Sequence, residues 1–412
     1  MKKIFNIVLF LSLIACEDSY EDIYRYSRPY YLAKSYPILL DASEILVDIE
    51  VKSPVGYQEA FKITSHDKYL FVGEKMKGIH VYEKMSDQSA SPLCFIECKH
   101  LKAFDIVENH LYCNNFVDLL IIDVQNPLQA KVVLREKEYF NKYYYSGFNM
   151  TKTNNSDIDV YEIGTKSIIK EGVETDMNPA PDFSEEDRLY SNMIVKEIPD
   201  DIQNDRPYVG FANVEGEMFT FGQNAWAVMC SYASGFFKTY QASMDNGISG
   251  PIIDLRYSEG VLFAIGSSGF FYLNYHQLFT KTPNYQYWYY PLDVVPLQEP
   301  TNSLVFLNEF YLTGLIFDPN NTSYWGTSLD AMGATSLMNV NDTILALGKQ
   351  LIVYYTKFGN IDQYFGLAIE PAKYYPNISG MCMLREDNTL IVAGRQGLSF
   401  YDISDLNTIK ER

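Results

Sequence analysis

Thiols and imidazoles crowd one short stretch of the chain. Cys94, Cys98, His100, His110 and Cys113 fall within 20 positions. Thiolate and imidazole are the ligands of structural zinc. The spacing argues against that use. Cys94 and Cys98 flank Phe95, Ile96 and Glu97, and on a strand they share a face about 13 Å apart, too far for one ion. The expected role is small apolar packing. Cys230 and Cys382 bring the thiols beyond Cys16 to an odd number, so they cannot all pair within one chain. His66 and His110 sit at turns and could face the same end of a fold, but a turn histidine is usually solvated or satisfied. Glu185-Glu186-Asp187, Asp200-Asp201 and Asp318-Pro319-Asn320-Asn321 offer oxygens of the kind that bind calcium, without EF-hand spacing. Gly266-Ser267-Ser268-Gly269 lacks the following helix that a nucleophile elbow needs. No phosphate loop or dinucleotide fingerprint occurs. Neither a catalytic set, a metal site nor a cofactor is expected.

The most unusual run is aromatic. Alternation along Tyr285-Gln286-Tyr287-Trp288-Tyr289-Tyr290 puts Tyr285, Tyr287 and Tyr289 on one face, and Trp288 and Tyr290 on the other. Exposed, such a face can stack on a sugar or grip a partner chain. Packed, it is an outer strand against its neighbour.

The elements that must position these groups read as short strands. Hydrophobic residues make up 47% of the 412 residues and charged residues 21%, so the bulk is globular. The 34 Tyr suit pleated, half-buried surfaces. A net charge of −19 argues against a nucleic-acid partner, which needs basic surface to displace counterions. Leu119-Leu120-Ile121-Ile122-Asp123-Val124-Gln125-Asn126-Pro127 is a buried strand closed by a turn. Weaker echoes are Gly78 to Tyr82 and Gly397 to Ser404. Around each lies one template: strand, polar turn, second strand, gap, third strand. The turns fall at His66-Asp67-Lys68, Glu108-Asn109, Glu215-Gly216, Ser258-Glu259-Gly260, Asn341-Asp342 and Asp387-Asn388, with a less tidy copy around Leu307-Asn308-Glu309. Strands recurring every ~40–50 residues are the signature of a propeller. The fold class is therefore all-β: a β-propeller of about seven (six to eight) four-stranded blades, with six blades plus decorations as the alternative. Asp41 to Val51 can supply a strand that completes the final blade. Residues 135–205 break the rhythm, as an insertion or a degenerate blade.

The amino end is not part of that fold. Lys2 and Lys3 precede the apolar stretch Ile4 to Ile14, which is too short to span a bilayer but has the anatomy of a secretory signal. Leu13-Ile14-Ala15-Cys16 resembles a bacterial lipobox, which implies removal of residues 1–15 and lipidation (palmitate included) of Cys16. Glu17-Asp18 and Glu21-Asp22 resemble the surface-export signal of Bacteroidetes lipoproteins. Residues 16–30 would then tether a single propeller domain, 31–412, to the outer membrane.

The Leu119–Asp123 core and its echoes also resemble the LVIVD repeat of bacterial surface propellers, although Glu83 stands where the repeat's Asp would fall. The resemblance implies a lipid-anchored, non-enzymatic scaffold on the cell surface that binds a protein or glycan partner. A propeller-fold lyase or glycosidase acting on polysaccharide is the alternative, and would need carboxylates or a His/Tyr/Arg set converging at one end of the channel. A structural part of an envelope complex is a third reading.

Overall fold

The computed structural model describes residues 28–45, 47–86, 88–144, 150–152, 159–174, 181–191, 194–195, 209–222, 226–233, 235–243, 252–258, 261–266, 269–274, 284–287, 291–298, 303–318, 321–325, 328–361, 364–395 and 397–412. The chain divides into two compact units, 1–44 with 149–204, and 45–148 with 205–412.

The larger unit is a β-propeller. Its described residues form seven antiparallel sheets in chain order. The innermost strands are Ala60–His66, Phe104–Val107, Val209–Val214, Ile252–Ser258, Pro291–Pro296, Ala334–Val340 and Cys382–Glu386. Each sheet is hydrophobic on both faces, so each needs two neighbours. A separate apolar cluster fills every interface. Phe71, Ile96, Leu111 and Ile122 lie between blades one and two. Val340, Leu347, Leu390 and Val392 lie between six and seven. Ile63, Leu70, Cys382 and Ile391 join the last blade to the first. The ring is thus closed by packing.

Two-residue hairpin turns set the inner strands. Asp67, Glu108, Glu215, Asn341 and Asp387 all have φ near +50°, the left-handed conformation that type I′ turns require. The third strand ends in a second recurring device. Asp123 accepts from Gln125 N at 3.0 Å and Asn126 from Leu128 N at 3.3 Å. At the same spacing Asp402 accepts from Ser404 N and Asp405 from Asn407 N, both at 2.9 Å. The buried Val124 and Ile403 between them donate to the turn carbonyls of Asn109 and Asn388. The Asp that ends the strand is therefore a turn-former.

One expectation is corrected, and the structure adds detail to two others. Glu50–Lys52 does not complete the final blade. It pairs with Ala90–Glu97 as a fifth, outermost strand of the first blade, because the seventh blade already has its own four strands. The expected domain of residues 31–412 is shared between the two compact units. Arg28–Asp41 runs antiparallel to Asp159–Glu174 from Arg28↔Glu174 to Asp41↔Val160, forming the sheet of the smaller unit with Met150–Lys152 and Ile194–Val195. The helix Ser184–Tyr190 packs on that sheet, where Asp187 accepts from Tyr36 Oη at 2.9 Å and Glu186 pairs with Lys170. The interruption is also shorter than 135–205. Arg135 and Glu136 belong to the fourth strand of blade two, and the short helix Tyr139–Tyr144 belongs to the core. Tyr144 Oη donates to Thr220 O at 2.6 Å and accepts from Val228 N at 3.1 Å, so this part of the tyrosine cluster seals blades two and three.

Candidate functional site

The innermost strands of all seven blades line a central cavity of about 630 Å³. Its charged side chains are Lys62, Lys102, Asp254 and Arg256. Two of these cations belong to one repeated arrangement. On blade one, Lys62 Nζ lies 2.7 Å from Asp105 Oδ2 of blade two, and Asp105 also accepts Asn213 N of blade three at 3.1 Å. On blade four, Arg256 lies 3.1 Å from Asp293 Oδ1 of blade five, and Asp293 accepts Leu337 N of blade six at 2.7 Å. Asn213 and Asn339 complete the two copies by donating to Ile106 O and Pro296 O, each at 2.8 Å. Each copy is a clamp: a cation on one blade, an Asp on the next, a backbone amide on the third.

The electrostatics follow from burial. Asp293 is almost fully buried, and burial raises its carboxyl pKa although Arg256 pulls it down. Arg256 is held more firmly protonated, chiefly by Asp254 at 2.8 Å and then by Asp293. Its side chain keeps 44% exposure because it borders the channel. Two of the channel's charges, Lys62 and Arg256, thus tie neighbouring blades together. The signal was present in the sequence: Asp105, Asp254 and Asp293 each follow an apolar residue early in an innermost strand, and each accepts the next residue's own amide at 2.8–2.9 Å.

The residues singled out from sequence do not converge. Tyr285 and Tyr287 lie on Asn284–Tyr287, the outermost strand of blade four, opposite Phe271 and Gly269. Trp288, Tyr289 and Tyr290 lie outside the described residues, as do Cys16, Asp200-Asp201 and Pro319-Asn320. Cys94, Cys98 and Cys113 are buried between blades one and two, and burial pushes the Cys94 thiol up to about 11. Cys230 and Cys382 are buried free thiols as well. His66 reaches Asn109 at 3.2 Å, whereas His110 packs edge-on against Tyr232. Composition gave no hint of a buried pair in blade one. His80 Nε2 lies 3.0 Å from Glu74 Oε2, and Lys77 and Gln58 N bind the other carboxylate oxygen at 2.8 and 3.0 Å.

Connections at the two ends of the ring differ in charge. From Ala60 onward, the first-to-second and third-to-fourth strand connections carry Asp67, Glu108, Glu215, Asp342, Asp387 and Asp405 against Lys68 among the described residues. The opposite end carries Lys75, Lys77, Lys99, Lys102, Lys349 and Arg395 against Glu309, and the helical connection after blade two adds Lys137, Lys142 and Glu138.

No protein-family model matches the chain, and no curated protein matches it. Among solved structures it is similar to a chain of the "Crystal Structure of Mitotic Checkpoint Complex", with a TM-score of 0.52 and 10% identity over 88% of this chain and 96% of that one. It is also similar to the computationally designed Ika8 protein, with a TM-score of 0.44 and 11% identity over 85% of this chain and 98% of that one. The larger unit is a β-propeller, and the first of these likenesses supports that fold alone.

Proposed function

We propose that this protein is a lipid-anchored propeller of the bacterial outer membrane, related to the LVIVD-repeat lipoproteins, that serves as a non-enzymatic scaffold for a protein or glycan partner. One observation carries the scaffold reading. Lys62 and Arg256 of the channel are spent on inter-blade clamps, with Asp105 and Asp293 saturated by backbone amides and cations, and the channel carboxylate Asp254 is engaged by Arg256 and Leu255 N. Side chains free to meet a partner stand instead at the ends of the ring. Phe310 and Tyr311 are 67% and 53% exposed there. Asp123 and Asp402 form the same turn at the same place in two blades, which supports the repeat relationship.

The test uses the full-length protein purified from membranes. A polysaccharide panel is incubated with it, and both retention and product length are read. Retention of a polymer or capture of a surface protein, with no polymer shortened, is the expected result; shortening refutes the scaffold reading. Protease accessibility on intact cells, with Cys16→Ala alongside, tests the address. Cleavage of wild type that is lost in the variant is expected, and protection until lysis places the propeller on the periplasmic side.

A further inference from the structure

Between blades six and seven the apolar interface opens, at the basic end of the ring, into a cleft of about 880 Å³. That lies within the range of small-molecule sites. Glycines line the cleft and let neighbouring segments approach closely. A Cβ on Gly348 would sit 2.1 Å from Gly333 O, and one on Gly380 2.3 Å from Val392 Cγ1. Gly394 and Gly397 continue the wall, so backbone amides and carbonyls border the space. Polar side chains stand among them: Thr335, Asn377, Ser379 and Ser399.

Two cations flank this wall. Lys349 lies in the turn between the second and third strands of blade six, and Arg395 in the equivalent turn of blade seven. Neither has an ion-pair partner among the described residues. One carboxylate, Glu411, shares the lining, together with the side chains of Met381 and Tyr401. Exposed peptide groups, hydroxyls and an amide match the hydroxyls of sugar rings. Two unpaired cations match carboxylates.

We propose that this cleft binds a saccharide bearing carboxylate groups, with Lys349 and Arg395 pairing its carboxylates and the glycine-rich wall meeting its hydroxyls. The proposal rests on the scaffold reading and names its ligand class and place.

The probe is an oligogalacturonate, with a neutral glucan of equal length as comparison, titrated calorimetrically against the full-length protein. The galacturonate should bind and the glucan should not. The exposed pair Lys349→Met with Arg395→Gln should weaken binding about tenfold. Lys137→Met, on the same end but away from the cleft, should leave it unchanged. Equal binding of the glucan overturns the anionic class. Undiminished binding in the double variant, or equal loss in Lys137→Met, overturns the site and leaves the scaffold reading standing. Binding of polyglutamate with no saccharide bound overturns the saccharide class and directs the search to a protein partner. Shortening of the galacturonate refutes the scaffold reading itself, wherever it binds.

Discussion

Asp293 is the sharpest place to test how the ring is held. The Asp293→Ala change removes the acceptor of Leu337 N, an amide on the next blade at 2.7 Å, and one acceptor of Val294 N at 2.8 Å. An unsatisfied buried amide costs about 1–3 kcal/mol. The lost ion pair adds less, under about 1 kcal/mol, because Arg256 is 44% exposed and screened. The expected loss is therefore about 3 kcal/mol. Asp293→Asn keeps an acceptor in place. Its NH2 then faces the Val294 N and Arg256 donors that Oδ1 accepts in the wild type, so Asn should cost about 1–2 kcal/mol, less than Ala. Asp254 occupies the matching position of blade four but, among the described residues, accepts Leu255 N and Arg256 alone, and its side chain is 30% exposed. Asp254→Ala should cost under about 1 kcal/mol. Asp105→Ala should resemble Asp293→Ala, since Asp105 holds Asn213 N across the same kind of interface. Urea unfolding followed by far-UV circular dichroism, with the m-value held as a check, gives each difference. A loss at Asp293→Ala no greater than at Asp254→Ala would refute the clamp.

Three further outcomes follow from the geometry. Burial holds the His80 pKa below the ordinary imidazole value, and Lys77, Gln58 N and His80 hold the Glu74 carboxyl low. Both groups bind protons more weakly folded than unfolded, so stability is fully present above about pH 6.5 and falls as the pH drops through that value and then through the carboxylate range. Melting temperature recorded from pH 8 to 5 should decline, and His80→Gln should flatten the upper part of that window. The five thiols beyond Cys16 should resist a thiol-reactive dye at pH 8 and react on unfolding, since burial raises Cys382 to about 12 and Cys94 to about 11; rapid labelling of the native protein would contradict their packing. Asp123→Ala removes one turn hydrogen bond at a half-buried site and should cost about 0.5–1.5 kcal/mol in the same urea assay.

The blades were legible because each is local. Asp67-Lys68, Glu108-Asn109 and Asp387-Asn388 announce left-handed turns, and the apolar runs on either side then pair as nearest neighbours. In blade five the turn at Asn308 comes one strand later than the sequence template expects. Asn308 forms a turn whose side chain accepts from Phe310 N and Tyr311 N at 2.9 and 2.6 Å, but this turn joins the second strand to the third. Turn chemistry alone does not say which connection it serves. The pairing of Arg28–Asp41 with Asp159–Glu174 was not legible at all, since nothing local in either segment names a partner more than a hundred residues away. The clamps were half visible: the Asp recurs, but the amide it holds belongs to another blade.

The clamps also divide the ring unevenly. One braces blades one to three and the other blades four to six, so the two copies leave the seventh blade outside both. That blade faces the channel with Cys382, Met383 and Leu384. It joins blade one through apolar packing and through Glu386, which accepts from Ser65 and lies 3.0 Å from Lys84. Its other flank is the interface that opens into the glycine-lined cleft. The cleft and its two cations thus lie beside an interface tied by Tyr355 Oη to Asn407 Oδ1 at 3.1 Å and by Tyr375 Oη to Leu406 O at 2.8 Å rather than by a channel clamp. A ligand bridging Lys349 and Arg395 would tie blade six to blade seven in the way Lys62 ties blade one to blade two. Binding there should therefore stabilise the propeller as well as occupy it. The shift should grow with ligand concentration as the logarithm of occupancy, and should vanish in the Lys349→Met, Arg395→Gln protein.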